Sequence, residues 1–403
     1  MNLDFIGQVA FFKKKTGNDV RKLCKFKNKS SIEYNASLSI KQILEPLVEK
    51  EMRDINGMTE KFMRRLMANR MGLFTIVKFD FKDFFPSISL RYAYEFFIKD
   101  KINEKYHPLF ENYVESVKYN LQGLPPSSNF AAVMAKAMKE EIFAFFKIDG
   151  LTDCFYYDDT FVMLFKKRVN HIYIKFGIEE CVKNVFNKKN SFKYQNKVKV
   201  NNDNEKYVYL NDEKLPCSFS WLGYKFGITY GWQGIGMTID IADEMIEHLR
   251  QKIFEAVRLN YPDTEKLRLM LYSSTRNVVT KIEKQGQDNR NVSITPFKFY
   301  KNLVKYKELI GENTVRFLQG VVIDAFRQQT IALPYYLYDQ KIESGYNIWH
   351  NLFSHRAIVL NKKFGWSYPK LYNILKKHTN LDLHNKPYSE LAKIYIDNFV
   401  IKY

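Results

Sequence analysis

The most constraining feature of this chain is a pair of adjacent aspartates, Asp158 and Asp159, between two β-favouring runs at 155–157 and 161–165. Both runs are rich in residues of high β-propensity, so the sequence predicts a β-hairpin with an acidic turn. Earlier in the chain, Asp80 ends another apolar strand. If these strands are neighbours, three carboxylates converge, and they repel one another unless divalent cations occupy the site. Paired magnesium ions promote in-line displacement at phosphate, so the pattern indicates nucleotidyl transfer.

Four segments resemble the sequence motifs of reverse transcriptases, in the order in which that family has them. They are 80–88 (DFKDFFPSI, motif A), 123–125 (GLP, the start of motif B), 156–159 (YYDD, motif C) and 219–224 (FSWLGY, motif E). The resemblance covers residues 40–235, about half of the chain. It implies an α+β right-hand polymerase, with fingers, a palm built on an antiparallel sheet and an α-helical thumb, followed here by a helical C-terminal extension.

The resemblance also implies a catalytic centre. Asp80 and Asp158 would hold two Mg²⁺ ions, with Mn²⁺ as an alternative, assisted by Asp159 and by the backbone carbonyl of Phe81. The reaction would be attack of a 3′-hydroxyl on the α-phosphate of a dNTP. Lys189 is the motif D candidate for donating a proton to the leaving pyrophosphate, although the register of this lysine-rich stretch is not fixed by the sequence. Taken alone, Asp80 is equally well explained as a turn residue, and the companion motifs favour the metal site.

Several residues are expected to contact the nucleotide. Phe85 falls at the family's steric-gate position, where a bulky ring excludes the 2′-hydroxyl by which proteins distinguish ribose from deoxyribose. The alternative is a core phenylalanine, since Phe84 is adjacent and only one of the two rings can face the site. The resemblance further places Gly123, Pro125 and Tyr157 near the incoming nucleotide. In motif E it implies a primer grip at the turn that contains Leu222, Gly223 and Tyr224, with the glycine where a hairpin turns close to another strand.

Motif B departs from the family pattern. Pro126 and Ser127 stand where the family usually has Gln-Gly, which puts ordinary templated copying in doubt. This divergence is similar to bacterial defence-associated and abortive-infection reverse transcriptases, some of which start synthesis from a protein hydroxyl, so Tyr403 is a candidate primer. Two rival hypotheses stay open. One is a template-independent or protein-primed DNA polymerase, and the other is a non-catalytic RNA-binding protein on a polymerase scaffold.

Composition agrees with a nucleic-acid partner. Lys and Arg number 63 against 44 Asp and Glu, a net charge of +19, which is typical of proteins that bind polyanions. The expected partners are an RNA template, in particular a dedicated noncoding RNA, together with dNTPs and a DNA product. The oligomeric state is open, and a homo-oligomer is compatible with the sequence.

Cysteine spacing and the length of the apolar runs argue against several classes of protein. The four cysteines form no CxxC pair, so neither a zinc site nor a disulfide framework is indicated. No run approaches the ~18–20 apolar residues of a membrane helix, so a cytoplasmic protein without a membrane partner is expected. We divide the chain into an N-terminal fingers region (1–71), a palm with part of the fingers (72–235), a helical thumb (236–330) and a basic helical C-terminal extension (331–403).

Overall fold

The structure is a computed structural model, and it divides into two compact units. The first contains residues 1–217 and 229–236, and the second contains 218–228 and 237–403. The described residues are 3–16, 19–49, 54–69, 72–157, 159–186, 198–202, 204, 206–276, 278–282, 290–294, 297, 299–338, 346–354 and 357–401.

The two units both combine helices with strands. The first contains β1 (Val9–Thr16), β2 (Asp19–Phe26), α1 (Ile32–Leu44), α2 (Ile55–Met67), β3 (Thr75–Lys82), α3 (Phe84–Ser87), α4 (Leu90–Ala93), α5 (His107–Val117), α6 (Ser127–Phe145), β4 (Leu151–Tyr157), β5 (Thr160–Phe165), α7 (His171–Phe186), β6 (Lys199–Val200) and β7 (Val208–Asn211). Next come β8 (Cys217–Trp221), β9 (Tyr224–Gly231), β10 (Gly234–Ile241), α8 (Asp243–Asn260), α9 (Thr264–Ser274), β11 (Val278–Ile282), β12 (Arg290–Ile294), α10 (Tyr300–Lys305), α11 (Glu312–Gln328), α12 (Tyr335–Tyr338), α13 (Ile348–Phe353), β13 (Ile358–Leu360), α14 (Tyr368–His378) and α15 (Tyr388–Phe399).

The central sheet of the first unit has the strand order β4-β5-β3-β6, and β7 also pairs with β3. All these pairings are antiparallel. Tyr157 pairs with Thr160 across the β4–β5 hairpin, and Asp159 lies in its turn. Thr160 also pairs with Asp80 of β3. The hairpin predicted from its β-favouring runs is therefore present, and it brings the acidic turn beside the end of β3.

An aromatic cluster supports this end of the sheet. The rings of Phe79 and Phe161 stack with centroids 5.1 Å apart, and those of Phe81 and Phe84 stack at 4.9 Å. All four side chains are almost fully buried. Stacked and edge-on ring pairs stabilise a core beyond the area that they bury. These packed rings support the end of β3 that carries Asp80.

The N-terminal region contains a hairpin that the sequence analysis did not anticipate. Strands β1 and β2 pair antiparallel over their whole length, from Val9 opposite Phe26 to Thr16 opposite Asp19. Neither strand has a regular apolar–polar alternation, since β1 reads VAFFKKKT and β2 reads DVRKLCKF. Helix α1 ends at Leu44, and the chain then continues into a 3₁₀ turn at Pro46, since proline cannot donate a backbone hydrogen bond.

Two three-stranded sheets follow in the chain, and only the second lies wholly in segments that the sequence predicts to be helical. The first has the order β10-β9-β8 and comes mostly from the predicted palm, where motif E implies a hairpin. In the other, β11 lies between antiparallel β12 and parallel β13. Strand β13 comes from the predicted extension and β11 from the predicted thumb, so these segments share a sheet. Among the described residues, no helix has both the length and the apolar character needed to cross a bilayer.

The β8–β9 turn gives a stability prediction. Leu222 and Gly223 both have positive φ, 55° and 80°, as a two-residue type I′ hairpin turn requires. A Cβ on Gly223 would lie 2.8 Å from Cε1 of Phe299. We expect Gly223→Ala to lower the free energy of unfolding by about 1–3 kcal/mol, measured by urea denaturation. The control Gly320→Ala lies in α11, where a Cβ would lie 3.7 Å from the nearest atom, Oδ2 of Asp324. It should be neutral or stabilising, by up to about 1 kcal/mol, and equal losses in both variants would contradict the prediction.

Candidate active site

A cavity of about 780 Å³ lies at the C-terminal end of β3 in the first unit. Four of the residues that line it were predicted from sequence to act there, namely Asp80, Phe81, Phe85 and Asp159. Among the polar or basic lining residues that the sequence analysis did not select are Lys22, Gln122, Asn201 and Lys206. The cavity therefore combines carboxylates, aromatic rings and positive charges.

Asp80 is the most informative residue of this cavity. Its side chain is largely buried. Its Oδ2 accepts a hydrogen bond from Nδ2 of Asn201 at 3.1 Å and lies 3.7 Å from Nζ of Lys206. Its Oδ1 is buried and has no hydrogen-bond partner among the described residues. The Asp159 side chain lies within hydrogen-bonding reach of the Asp80 carboxyl.

Burial raises the pKa of Asp80 above its ordinary value, because a desolvated carboxylate is disfavoured in its charged form. The positive charge of Lys206, the hydrogen bond with Asp159 and that from Asn201 act in the opposite direction but do not cancel the effect of burial. A carboxylate that is buried and incompletely compensated is suited to binding a cation.

The donors present fit a hard divalent cation. Mg²⁺ prefers oxygen ligands, and the unpartnered Oδ1 of Asp80 beside Asp159 supplies such oxygens. Within the described part of the chain, no group of three His, Cys, Asp or Glu side chains is arranged to hold a metal. Asp158, the predicted second carboxylate, lies outside the described residues. The complete metal site therefore stays a prediction.

Backbone hydrogen bonds fix the two described aspartates. The amide of Phe81 donates to the carbonyl of Asp159 at 3.1 Å, which joins the acidic turn to β3. The amide of Asn201 donates to the carbonyl of Asp80 at 2.8 Å, which joins β3 to the short strand β6. Because three chain segments meet here, the carboxylates are positioned by the sheet itself.

The adjacent rings Phe84 and Phe85 have different environments. Both lie at the cavity, but Phe84 is fully buried and stacks on Phe81, whereas Phe85 is half-buried beside Asp80. The chain turns between β3 and α3 through Asp83, which has a positive φ of 50°. Of the two rings, Phe85 is the more accessible from the cavity, and its contact with the sugar of a nucleotide stays a prediction.

The cavity is lined by Gln122, the residue just before the predicted Gly123 of motif B. Gly123 has a φ of +112°, and a Cβ there would lie 2.1 Å from the carbonyl oxygen of Cys24 on β2. The amide of Cys24 donates to the carbonyl of Gln122 at 3.0 Å. Gly123 thus lets the loop pack against β2, and Gln122 faces the cavity. Among the described lining residues, neither Gly123 nor Pro125 nor Tyr157 appears.

The sequence analysis did not identify the lysines that line the cavity, Lys22 and Lys206. Lys22 lies on β2, opposite Lys13 in the register of the β1–β2 hairpin, and both side chains are exposed. Lys206 and Asn201 lie at the edge of the Lys- and Asn-rich stretch 184–204, whose biased composition does not single out either residue. Lys189 and Tyr403 lie outside the described residues.

The predicted primer grip lies in the second unit. Leu222 and Gly223 form the turn, and the ring of Tyr224 is fully buried, 4.9 Å from that of Phe299 between centroids. The Tyr224 hydroxyl accepts a hydrogen bond from Nδ2 of Asn302 at 3.3 Å. The structure assigns the Tyr224 side chain to packing, and the primer contact of the turn stays a prediction.

Comparisons with known proteins add little. No protein-family model and no curated protein matches the chain. Among solved structures, apo telomerase from Candida tropicalis, truncated from its C-terminal domain, is similar over 54% of this chain and 52% of its own, with 14% identity and a TM-score of 0.37. Telomerase from Candida albicans in complex with a TWJ fragment of telomeric RNA is similar over 95% of this chain and 63% of its own, with 13% identity and a TM-score of 0.42. The chain thus spans about half to three fifths of these structures.

Proposed function

We propose that this chain is an RNA-directed DNA polymerase that adds dNTPs to a 3′-hydroxyl. The observation that carries the proposal is the buried, incompletely paired carboxylate of Asp80 beside Asp159, in a cavity that Phe85 also lines. Motifs A and C supply these residues, and the β3–β5 pairing explains why segments so distant in sequence act together.

The residues of the cavity would have different roles in the reaction. Asp80, Asp158 and Asp159 would hold two Mg²⁺ ions, which would supply Lewis-acid chemistry for phosphoryl transfer. Lys22 and Lys206, which line the same cavity, would supply positive charge to a bound triphosphate. Phe85 would exclude a 2′-hydroxyl. Lys189 remains the candidate proton donor to the pyrophosphate.

We further propose that the template is a dedicated noncoding RNA and that the setting is bacterial antiphage defence in the cytoplasm. The net charge of +19 supports an RNA partner. The divergent motif B, with Pro126 and Ser127 in place of Gln-Gly, supports the resemblance to defence-associated enzymes.

A second candidate function is DNA synthesis without a template or from a protein primer. The observation that favours it is the environment of the altered motif B. Pro126 is buried, and the buried Ser127 hydroxyl donates to the carbonyl of Leu121 at 2.5 Å. Neither residue presents a free polar group to a nucleotide or template. Tyr403 would then be a candidate acceptor of the first nucleotide, which mass spectrometry of the purified protein would detect as a nucleotide adduct.

The test is incorporation of each labelled dNTP by the purified protein, with and without its copurified RNA. Incorporation that RNase abolishes supports the first function, and the copurified RNA should then match the product sequence. Incorporation that survives RNase supports the second. If no condition gives incorporation, and Asp158→Ala has no effect in cells, the chain is a non-catalytic RNA-binding protein and both functions are excluded.

A further inference from the structure

A loop in the second unit presents an exposed aromatic ring directly after two lysines. The loop, residues 361–366, joins β13 to α14. Phe364 is 84% exposed, and its neighbours Lys362 and Lys363 are also exposed. We propose that this 361–366 loop binds single-stranded nucleic acid, with a base stacked on Phe364 and the adjoining phosphates held by the two lysines.

The loop is fixed by its own backbone. The amide of Gly365 donates to the carbonyl of Asn361, and that of Trp366 donates to the carbonyl of Val359, both at 2.9 Å. The amide of Lys363 donates to Oδ1 of Asn361 at 2.9 Å. A Cβ on Gly365 would lie 1.9 Å from the carbonyl oxygen of Val359, so the turn is closed to any larger residue. The loop therefore presents Phe364 without the ordering cost of a flexible segment.

The ring of Phe364 is much more exposed than that of Trp366, the other aromatic residue of this loop. Trp366 is covered, since Nζ of Lys370 lies 4.5 Å from its ring and the Tyr395 ring centroid lies 5.2 Å away. A single exposed apolar residue needs no explanation by itself. Here, however, the exposed ring sits at the tip of a fixed turn with a positive charge directly before it. Stacking platforms for single strands combine these two elements, a π-face for the base and cations for the backbone.

The surrounding charge favours a polyanion over a protein surface. Between Glu343 and Asp382 the chain has no acidic residue, while it has six Lys and Arg. Two basic side chains in this stretch have acidic partners outside it, since Lys377 pairs with Glu265 and Nδ1 of His378 lies 2.7 Å from Oδ2 of Asp263. In the described part of the chain, no ion pair involves the remaining lysines near the loop, which are Lys362, Lys363, Lys370 and Lys376. Their charge is available to a phosphate backbone, and phosphate contacts supply most of the sequence-independent affinity of nucleic-acid binding.

The test is binding of fluorescently labelled single strands to the full chain, followed by anisotropy. Homopolymeric uridine and deoxythymidine oligonucleotides distinguish RNA from DNA as the ligand. We expect Phe364→Ala to weaken binding about 5- to 150-fold, the range for loss of one base stack, with an unchanged salt dependence. Lys362→Ala combined with Lys363→Ala should instead lower the slope of log K against log salt by about 1.4, since single strands give about 0.7 per phosphate contact. The control is Leu381→Ala, an exposed apolar residue of the same unit.

Two further variants and a cross-link make the result decisive. Phe364→Trp should retain binding and Phe364→Leu should not, because leucine keeps apolar bulk without a π-face. Strands that contain 5-iodouridine should cross-link to Phe364, located by mass spectrometry. Normal binding by Phe364→Ala or Phe364→Leu, an equal loss in Leu381→Ala, or cross-links that map only elsewhere would overturn the proposal. Because only binding is measured, the outcome is independent of whether Asp80 supports catalysis.

Discussion

Asp80→Asn should abolish nucleotide incorporation, by about 10³-fold or more, which corresponds to roughly 4 kcal/mol of lost transition-state stabilisation. The same substitution should raise the free energy of unfolding of the metal-free protein at pH 7. Burial raises the pKa of Asp80, so the folded state favours the protonated form relative to the unfolded chain. The stability that this provides is complete below the ordinary carboxyl pKa and is lost as the pH rises through the raised value. At neutral pH the charge is a net cost, which asparagine removes.

Thermal or urea unfolding with and without Mg²⁺ tests both halves of this prediction. Mg²⁺ at about 100 times its Kd should stabilise the parent by about 2.7 kcal/mol and should leave Asp80→Asn unchanged. The stability advantage of the variant without metal should shrink as the pH falls towards 4. Asp153→Asn is the matched control. Asp153 is another buried aspartate of the same sheet, but it pairs with Arg65 at 3.0 Å and Lys61 at 3.4 Å. Its loss should destabilise the fold and preserve the Mg²⁺ response, and an equal Mg²⁺ response in Asp80→Asn would refute the site.

The parts of the site that sequence could predict are those encoded locally. The acidic turn lies between two β-favouring runs, and such a hairpin follows from propensity and turn chemistry alone. Asn201 and Lys206 could not be found in this way. Asn201 reaches Asp80 across 121 residues of sequence, through a strand as short as Lys199–Val200. Neither residue belongs to a recognisable pattern, because only the tertiary pairing of β6 with β3 gives it a role.

Dependence on tertiary pairing also explains why the sequence did not predict how the motif B loop contacts β2 or that β13 is a strand. Gly123 signals a special backbone position in any sequence, yet its partner, the Cys24 carbonyl on β2, is apparent only once the N-terminal hairpin is placed. Strand β13 has three residues and pairs parallel with β11, about 80 residues earlier. Parallel pairing over such a distance leaves no hairpin signature, so the sequence does not reveal this strand within the predicted helical extension.

Phe85→Ala should relax sugar discrimination while Phe84→Ala should damage the fold, although the two residues are adjacent. Phe85 is half-buried and lines the cavity that Asp80 also lines, so removing its ring opens space for a 2′-hydroxyl. We expect the ratio of kcat/KM for dNTPs to that for rNTPs to fall roughly 10- to 200-fold, the range for a change in steric fit within a pocket. Phe84 packs on Phe81 in the core, and its truncation should cost about 3–5 kcal/mol of stability.

Single-nucleotide incorporation with paired dNTP and rNTP substrates measures the first effect, and urea denaturation measures the second. Phe176→Ala provides the control, since this ring is 53% exposed and does not line the cavity among the described residues. It should change neither selectivity nor stability by more than about 0.5 kcal/mol. If folded Phe85→Ala protein keeps the sugar selectivity of the parent, Phe85 is only a wall of the cavity. Discrimination between ribose and deoxyribose would then have to come from polar side chains that line the cavity. One of these is Gln122, which is close in sequence to the divergent motif B segment.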